Sequence, residues 1–175
     1  MRRVVYSVAM SLDGYIAGPT GEADWIVMDP EIDFTALMAR FDTVLMGRKT
    51  FETAGGGGGT PGVTSVVVSR TLRPADHPGV TVIGDDVGGA VAKLRRAAGK
   101  DIWLFGGGSL FRSLLDLGQV DAVEVGVIPV LLGGGVPLVP PGARAKLKLV
   151  NSRALKATGT VCLEYAVEPP KKKRR

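Results

Sequence analysis

Short apolar runs alternate along the chain with amphipathic segments, and this alternation predicts an α/β protein. Strands are predicted at residues 3–10, 43–47, 63–69, 80–84 and 101–105, and in a longer run that begins at 120. Helices are predicted at 30–41, 48–54, 85–99 and 109–118. The stretch from 145 to 168 is typical of two strands that turn near Thr158 and Gly159. The pattern favours a largely parallel sheet with an antiparallel edge, in one domain spanning 1–168.

Composition narrows the class of protein. The chain has 175 residues, 45% of them hydrophobic, which suits a single domain with a substantial core. No window of 18 apolar residues predicts a membrane span. The single cysteine, Cys162, cannot form an internal disulfide, which fits a cytoplasmic protein. Only one histidine, His77, is present and no Cys/His cluster exists, so we expect no metal site.

The net charge of +5 resides in the last five residues, KKKRR. Before this segment, 17 Lys and Arg balance 17 Asp and Glu. We expect residues 169–175 to be a disordered basic tail; a nucleic-acid contact is the alternative. The chain has ten aromatic residues and no basic-aromatic interleaving, so nucleic-acid binding is not expected.

Phosphate-binding residue types come after three of the predicted strands. Arg48 and Thr50 come after the second strand, Ser69 and Arg70 end the third, and "GGGS" at 106–109 lies between a strand and a helix. Backbone N–H groups at a helix start and arginine side chains both bind phosphate oxygens. Together they predict a ligand with several phosphates. The glycine triplet alone is equally explained as a tight turn. Neither the Rossmann nor the Walker spacing is present.

Four stretches, taken in order, resemble a known family: "SVAMSLDGYIA" (7–17), "LMGRKTFET" (45–53), "VVVSR" (66–70) and "LFGGGSLFRSLL" (104–115). They are similar to the dihydrofolate reductase-like superfamily, and most of all to the reductase domain of bifunctional riboflavin-biosynthesis proteins. "PVLLGGGVPL" (129–138) points to the same branch. The resemblance implies an NADPH-dependent reductase with an eight-stranded, mostly parallel sheet, helices on both faces and an antiparallel C-terminal edge strand. It also implies a homodimer and a cis bond between Gly106 and Gly107.

The resemblance assigns cofactor contacts. The backbone of Ala9 and Ile16 would hold the nicotinamide carboxamide. Ser69 and Arg70 would contact the 2′-phosphate and favour NADPH over NADH. The diphosphate and the adenosine side would be held by Gly47, Arg48, Lys49, Thr50, Phe105, Gly106, Gly107, Gly108, Ser109 and Leu110.

Three carboxylates are candidates for the catalytic acid: Asp13, Glu31 and Asp33, with Asp29 equally close to the expected position. Alternatively, Asp13 caps a turn with Gly14, and the acids near residue 30 favour the start of a helix. Trp25 is the predicted substrate contact; a plain packing role is the alternative.

We expect hydride transfer to a small heterocyclic or carbonyl substrate. One alternative is a ribosylamino-pyrimidine phosphate as in riboflavin synthesis, although Tyr15 stands where that branch often has lysine. The other alternative is a nucleotide-binding module without catalysis. No arginine suited to the glutamate tail of folate is identified.

Overall fold

A central sheet organises the protein. The computed structural model describes residues 1–56 and 62–169. Its strands are β1 (Val4–Ser11), β2 (Tyr15–Ala17), β3 (Phe41–Gly47), β4 (Thr64–Val68), β5 (Val80–Ile83), β6 (Asp101–Gly106), β7 (Ala122–Ile128), β8 (Val136–Pro137), β9 (Leu147–Ala154) and β10 (Val161–Val167). Its α-helices are α1 (Phe34–Met38), α2 (Arg48–Thr53), α3 (Val87–Arg96) and α4 (Gly108–Asp116), with a 3₁₀ turn at Pro74–Asp76.

Eight of the strands form one sheet in the order β5-β4-β3-β6-β1-β7-β10-β9. The first six strands of this order, from β5 at the edge to β7, are all parallel to their neighbours. Strand β10 is antiparallel to both β7 and β9. The predicted mostly parallel, eight-stranded sheet is therefore confirmed. The C-terminal strand lies second from the edge, because the hairpin through Gly159 places β9 outside it.

A separate two-stranded ribbon joins β2 to β8. The sequence did not predict it, because strands of three and two residues are too short to show a periodic pattern. The ribbon places the segment after β1 beside the segment after β7.

Alternate residues of the parallel strands bury the two faces of the sheet. On one face, Tyr6, Leu45 and Leu104 pack with α3 and α4 through Val91 and Leu114, all of them buried. On the other face, α2 packs through Phe51 against Val44, Met46 and Val67. Near-continuous apolar strands are what a parallel sheet covered on both faces requires. The prediction of helices on both faces is confirmed.

The predicted helix at 30–41 is much shorter in the structure. Helix α1 begins only after Asp33, whose side chain accepts a hydrogen bond from the N–H of Ala36 as an N-cap. It ends at Met38, and β3 already begins at Phe41. The residues before Asp33 are instead bound to the turn between β9 and β10 through Asp29 and Glu31.

The other helices lie close to their predicted positions. Helix α3 forms despite Gly88 and Gly89 and begins after Asp86, but it ends at Arg96 rather than Gly99. Residues 57–61, in the predicted glycine loop, and 170–175, in the predicted tail, lie outside the described residues. In the part of the chain that the structure describes, no helix is both long and apolar enough to cross a membrane.

Candidate active site

The glycine triplet forms the turn between β6 and α4, and two of its glycines are required by the fold itself. Gly106 has a φ of +127°, a conformation that other residues rarely adopt. A Cβ on Gly108 would lie 2.7 Å from the carbonyl oxygen of Pro137 and 3.1 Å from that of Leu138. The bond between Gly106 and Gly107 is cis, as the resemblance implied.

The start of α4 presents backbone donors at this turn. Gly107 is the N-cap and has no side chain that could accept the first N–H groups. Within residues 1–56 and 62–169, the N–H groups of Gly108 and Ser109 have no hydrogen-bond acceptor. Helix α2 faces the same turn, since Thr50 Oγ1 lies 3.5 Å from the position of a Cβ on Gly107. Free N–H groups at the positive end of a helix suit an anionic group.

A cleft of about 560 Å³ lies at the ends of β3, β4 and β5. Its size is in the range of small-molecule sites. Its walls are Arg48, Val68, Ser69, Arg70, Thr71, Gly84, Asp85, Asp86 and Val87. Three of the predicted cofactor residues, Arg48, Ser69 and Arg70, are thus brought together.

The polar side chains of the cleft differ in the hydrogen bonds and ion pairs that they already make within the protein. Ser69 is buried; its Oγ accepts the N–H groups of Thr71 and Leu72 at 3.2 and 2.9 Å and shares a hydrogen bond of 3.4 Å with the hydroxyl of Thr71, in which either hydroxyl can donate. Arg48 donates to Glu52 at 2.9 Å. Exposed Arg70 has no carboxylate within 4.0 Å among the described residues. Of the two arginines that line the cleft, Arg70 is therefore the more available to a ligand.

The predicted cofactor residues lie at one edge of five neighbouring strands. The cleft is at the ends of β5, β4 and β3, the glycine turn comes after β6, and Ala9 lies in the carboxyl half of β1. Ile16 is in β2, beside the same edge. The carboxyl edge of a parallel sheet is where ligands of open α/β folds bind. The residues thus form a track from β1 to β5.

Asp13 lies in the turn after β1 and holds the glycine-rich loop after β7. Its carboxylate accepts from Ser11 Oγ at 2.6 Å and from the N–H groups of Leu132 and Gly133, the shortest at 2.7 Å. The Ser11 hydroxyl, and after it these backbone N–H groups, lower the pKa of Asp13. The carboxylate is therefore an ionised acceptor that joins two loops.

The acids near residue 30 attach their segment to the β9–β10 turn. Asp29 is buried and accepts from the hydroxyl and the N–H of Thr158 at 2.7 and 3.0 Å, and its pKa is lowered chiefly by that hydroxyl. Glu31 Oε1 accepts from the N–H of Lys156 at 2.9 Å. Asp33 caps α1 at 2.9 Å. The structure therefore gives each of these acids a hydrogen-bond donor, and their role as the catalytic acid stays a prediction.

Two further polar features lie outside the track. Trp25 is half-buried in the loop before α1, and its indole N–H donates to the Glu22 carbonyl at 3.3 Å. Arg40 donates to both carboxylate oxygens of Glu124 at 3.0 and 2.6 Å, and Glu124 pairs in register with Glu164 of β10. The role of Trp25 as a substrate contact remains a prediction.

The sequence reasoning missed the far wall of the cleft, formed by Thr71 and by residues 84–87. The missed signal was "GDD" at 84–86. It comes after β5 just as Ser69 and Arg70 come after β4, and the same strand-end argument applies to it. No group of three or more His, Cys, Asp or Glu side chains within the described ranges is placed to hold a metal ion.

Comparison with known proteins agrees with this geometry. The protein YyaP of Bacillus subtilis (strain 168), an uncharacterized protein, is 37% identical, with 94% of each chain covered. A structure from Shewanella sp. PV-4, of a protein named for riboflavin biosynthesis, superposes with a TM-score of 0.80 at 26% identity and covers 97% of this chain and 100% of its own. Dihydrofolate reductase from Enterococcus faecalis, solved with NADP(H), has a TM-score of 0.68 at 18% identity over 95% of this chain and 97% of its own.

The fold is therefore that of the dihydrofolate reductase-like proteins. Within that class, the family of RibD C-terminal domains matches residues 2–161, which is most of the chain. The protein belongs to the RibD C-terminal domain family. The predicted superfamily and its riboflavin-biosynthesis branch are both confirmed.

Proposed function

We propose that the protein is an NADPH-dependent reductase that transfers hydride to a small heterocyclic or carbonyl compound. The main support for this proposal is that the predicted cofactor residues, although far apart in sequence, lie at one edge of five neighbouring strands. Membership of the RibD C-terminal domain family supports a reductase. NADP(H) bound to a dihydrofolate reductase of the same fold supports the choice of cofactor.

The parts of the track match the parts of the cofactor. The unengaged N–H groups of Gly108 and Ser109 suit the diphosphate, and Thr50 faces the same turn. Ser69 and Arg70 suit the 2′-phosphate, because a serine hydroxyl and a guanidinium with no carboxylate partner among the described residues can both donate to phosphate oxygens. The carboxyl half of β1, with Ala9, is left for the nicotinamide ring. The bound cofactor would supply the hydride.

The experiment is a fluorescence titration of the protein with NADPH and with NADH. Trp103 lies on β6, which leads into the glycine turn, so binding there is expected to change the indole emission. We expect saturable binding with a preference for NADPH. If neither dinucleotide gives saturable binding, the cofactor assignment is wrong, and the proposed reductase activity is wrong with it.

A second substrate class is favoured by the family match alone. Because the family is that of RibD C-terminal domains, a ribosylamino-pyrimidine phosphate is the alternative substrate. Tyr15 occupies β2, where it pairs with Pro137, at the position where this branch often has lysine. NADPH oxidation that depends on the pyrimidine phosphate would establish this substrate. Its absence, together with turnover of simpler carbonyl compounds, would favour the first class.

We also propose that the protein forms a homodimer through the loop after β7. Leu131 is 70% exposed and Val136 is 39% exposed, in the "VIPVLLGGGVPL" segment. A contiguous exposed apolar patch is typical of an interface, and we propose that these two side chains contribute to one. Sedimentation at micromolar concentration is expected to show a species larger than the 18.3 kDa chain. A species of 18.3 kDa would contradict the proposal.

A further inference from the structure

The cleft at the ends of β3, β4 and β5 carries both signs of charge. Arg48 and Arg70 lie on the wall formed by β3 and β4, and Asp85 and Asp86 lie on the wall formed by the end of β5. The two walls are held together by backbone: the N–H of Ser69 donates to the carbonyl of Ile83 at 2.9 Å. A site for a phosphate alone would not need carboxylates in its lining, since they repel an anion.

The two aspartates are not equivalent. Asp86 is the N-cap of α3 and accepts the N–H of Gly89 at 3.0 Å, with its own backbone at a φ of 45°. Its carboxylate therefore has a structural partner. Asp85 is exposed, and its carboxylate has no hydrogen-bond or salt-bridge partner in the described chain. Asp85 is thus the acceptor of the cleft that remains open to a ligand.

The position of Asp85 along the track indicates which part of a dinucleotide it meets. Counted outward from the glycine turn, the strand order is β6, β3, β4 and β5. If the diphosphate lies at the turn, Arg48 comes next, then Ser69 and Arg70, and Asp85 lies farthest out. The part of the nucleotide farthest from the diphosphate is the base. Adenine carries an exocyclic amine, which donates hydrogen bonds and suits a carboxylate acceptor.

We propose that Asp85 determines base specificity by accepting a hydrogen bond from the exocyclic amine of adenine, while Arg70 on the opposite wall binds the 2′-phosphate. This inference rests on the proposed cofactor function. It goes beyond that function because it assigns the second wall of the cleft to a different part of the ligand. The cleft then selects adenine dinucleotides over those whose base carries a carbonyl at the same position.

The test compares NADPH with its hypoxanthine analogue, in which a carbonyl oxygen replaces the exocyclic amine. The full chain and the variants Asp85→Ala, Asp85→Asn and Asp76→Ala are titrated by fluorescence. Asp76 is a matched control, because it is an exposed aspartate that pairs with Arg73 and does not line the cleft. Circular dichroism checks that each variant is folded, which is expected since Asp85 has no partner in the described chain.

We expect the wild-type chain and Asp76→Ala to bind NADPH about fivefold or more tightly than the analogue, as one charge-assisted hydrogen bond at an exposed site allows. Asp85→Ala is expected to bring this ratio close to one, and Asp85→Asn, which keeps an acceptor oxygen, to retain part of it. A wild-type ratio of one, or a ratio that survives in Asp85→Ala, would overturn the inference. So would tighter NADPH binding by Asp85→Ala with the ratio unchanged, since Asp85 would then act on the phosphate. If no dinucleotide binds, the proposed function itself fails, and the inference fails with it.

Discussion

Replacement of Arg70 by alanine is the substitution that most directly tests the cofactor assignment. Arg70 lines the cleft and has no carboxylate within 4.0 Å among the described residues, whereas Arg48 shares its charge with Glu52. Arg70 is therefore expected to supply most of the positive charge available to a 2′-phosphate. NADH lacks that phosphate, so the variant should affect one dinucleotide and leave the other unchanged.

The expected loss of NADPH binding free energy in Arg70→Ala depends on how exposed the site is. A hydrogen bond to a charged group contributes about 1.5–3 kcal/mol, and exposure to solvent reduces this. We therefore expect a loss of about 1–2 kcal/mol, which corresponds to roughly 5- to 30-fold weaker NADPH binding. The affinity for NADH should change by less than about twofold. The advantage of wild type over the variant should also shrink with added salt, because the screening length falls from about 10 Å at 0.1 M to about 3 Å at 1 M.

The assay is a fluorescence titration of wild type, Arg70→Ala and Arg73→Ala with both dinucleotides at two salt concentrations. Arg73 is a matched control, since it is three residues away, has a side chain 80% exposed, pairs with Asp76 and does not line the cleft. Equal weakening of NADPH and NADH binding by Arg70→Ala would refute the reasoning, because it would show a general loss of the site. An effect of Arg73→Ala as large as that of Arg70→Ala would refute it as well.

Three further predictions concern the fold around the site. Arg40→Ala should lower the free energy of unfolding, measured in urea, by about 1–3 kcal/mol, because it leaves the carboxylate of Glu124 without its ion-pair partner. Adding Glu124→Gln to this variant should recover part of the loss, and no recovery would contradict the pairing. Gly108→Ala should lower the free energy of unfolding by about 1–3 kcal/mol, since its Cβ would overlap a carbonyl oxygen of β8. Gly134→Ala, with open space around its Cβ, should change it by less than about 0.5 kcal/mol. Equal effects of the two substitutions would contradict the expected overlap at Gly108. Asp13→Asn should be less stable than wild type at neutral pH. Because folding lowers the pKa of Asp13 from 3.8, this difference should fade as the pH falls below 3.8, and thermal unfolding at about pH 7 and pH 3 would detect a gap that fails to fade.

Most of the fold could be predicted from the sequence because the central parallel strands are covered on both faces of the sheet. The runs at 66–68 and 102–105 are entirely apolar and are bounded by polar or glycine residues, and strands form there close to the predicted ranges 63–69 and 101–105. The helix predicted at 30–41 failed for a different reason. Its apolar spacing is real, but the side chains of Asp29 and Glu31 bind the β9–β10 turn, 125 or more residues away. No local pattern reports such a contact.

The candidate site, like the fold, could be predicted from the sequence only in part. Its cofactor half lies directly at the ends of strands, so residues such as Ser69 and Arg70 could be found by inspecting the positions at the end of each buried run. The strand order determines that these ends are neighbours, and Asp85 lines the cleft because β5 lies beside β4. Candidates for the catalytic acid could not be ranked from the sequence. Their chemistry depends on whether each carboxylate already accepts hydrogen bonds.

The acidic residues that the sequence singles out all accept hydrogen bonds in the structure. Asp29 and Asp13 both have lowered pKa values because hydroxyl and backbone donors stabilise the carboxylate form. A carboxyl held in that form near neutral pH is a poor proton donor, since it has already released its proton. Asp33 accepts the N–H of Ala36 as the N-cap of α1. Asp13, Asp29 and Glu31 therefore each accept hydrogen bonds that hold two segments together, and the assignment of a catalytic acid stays a prediction. The cationic and backbone donors of the track, by contrast, lie at the ends of neighbouring strands where a cofactor would bind.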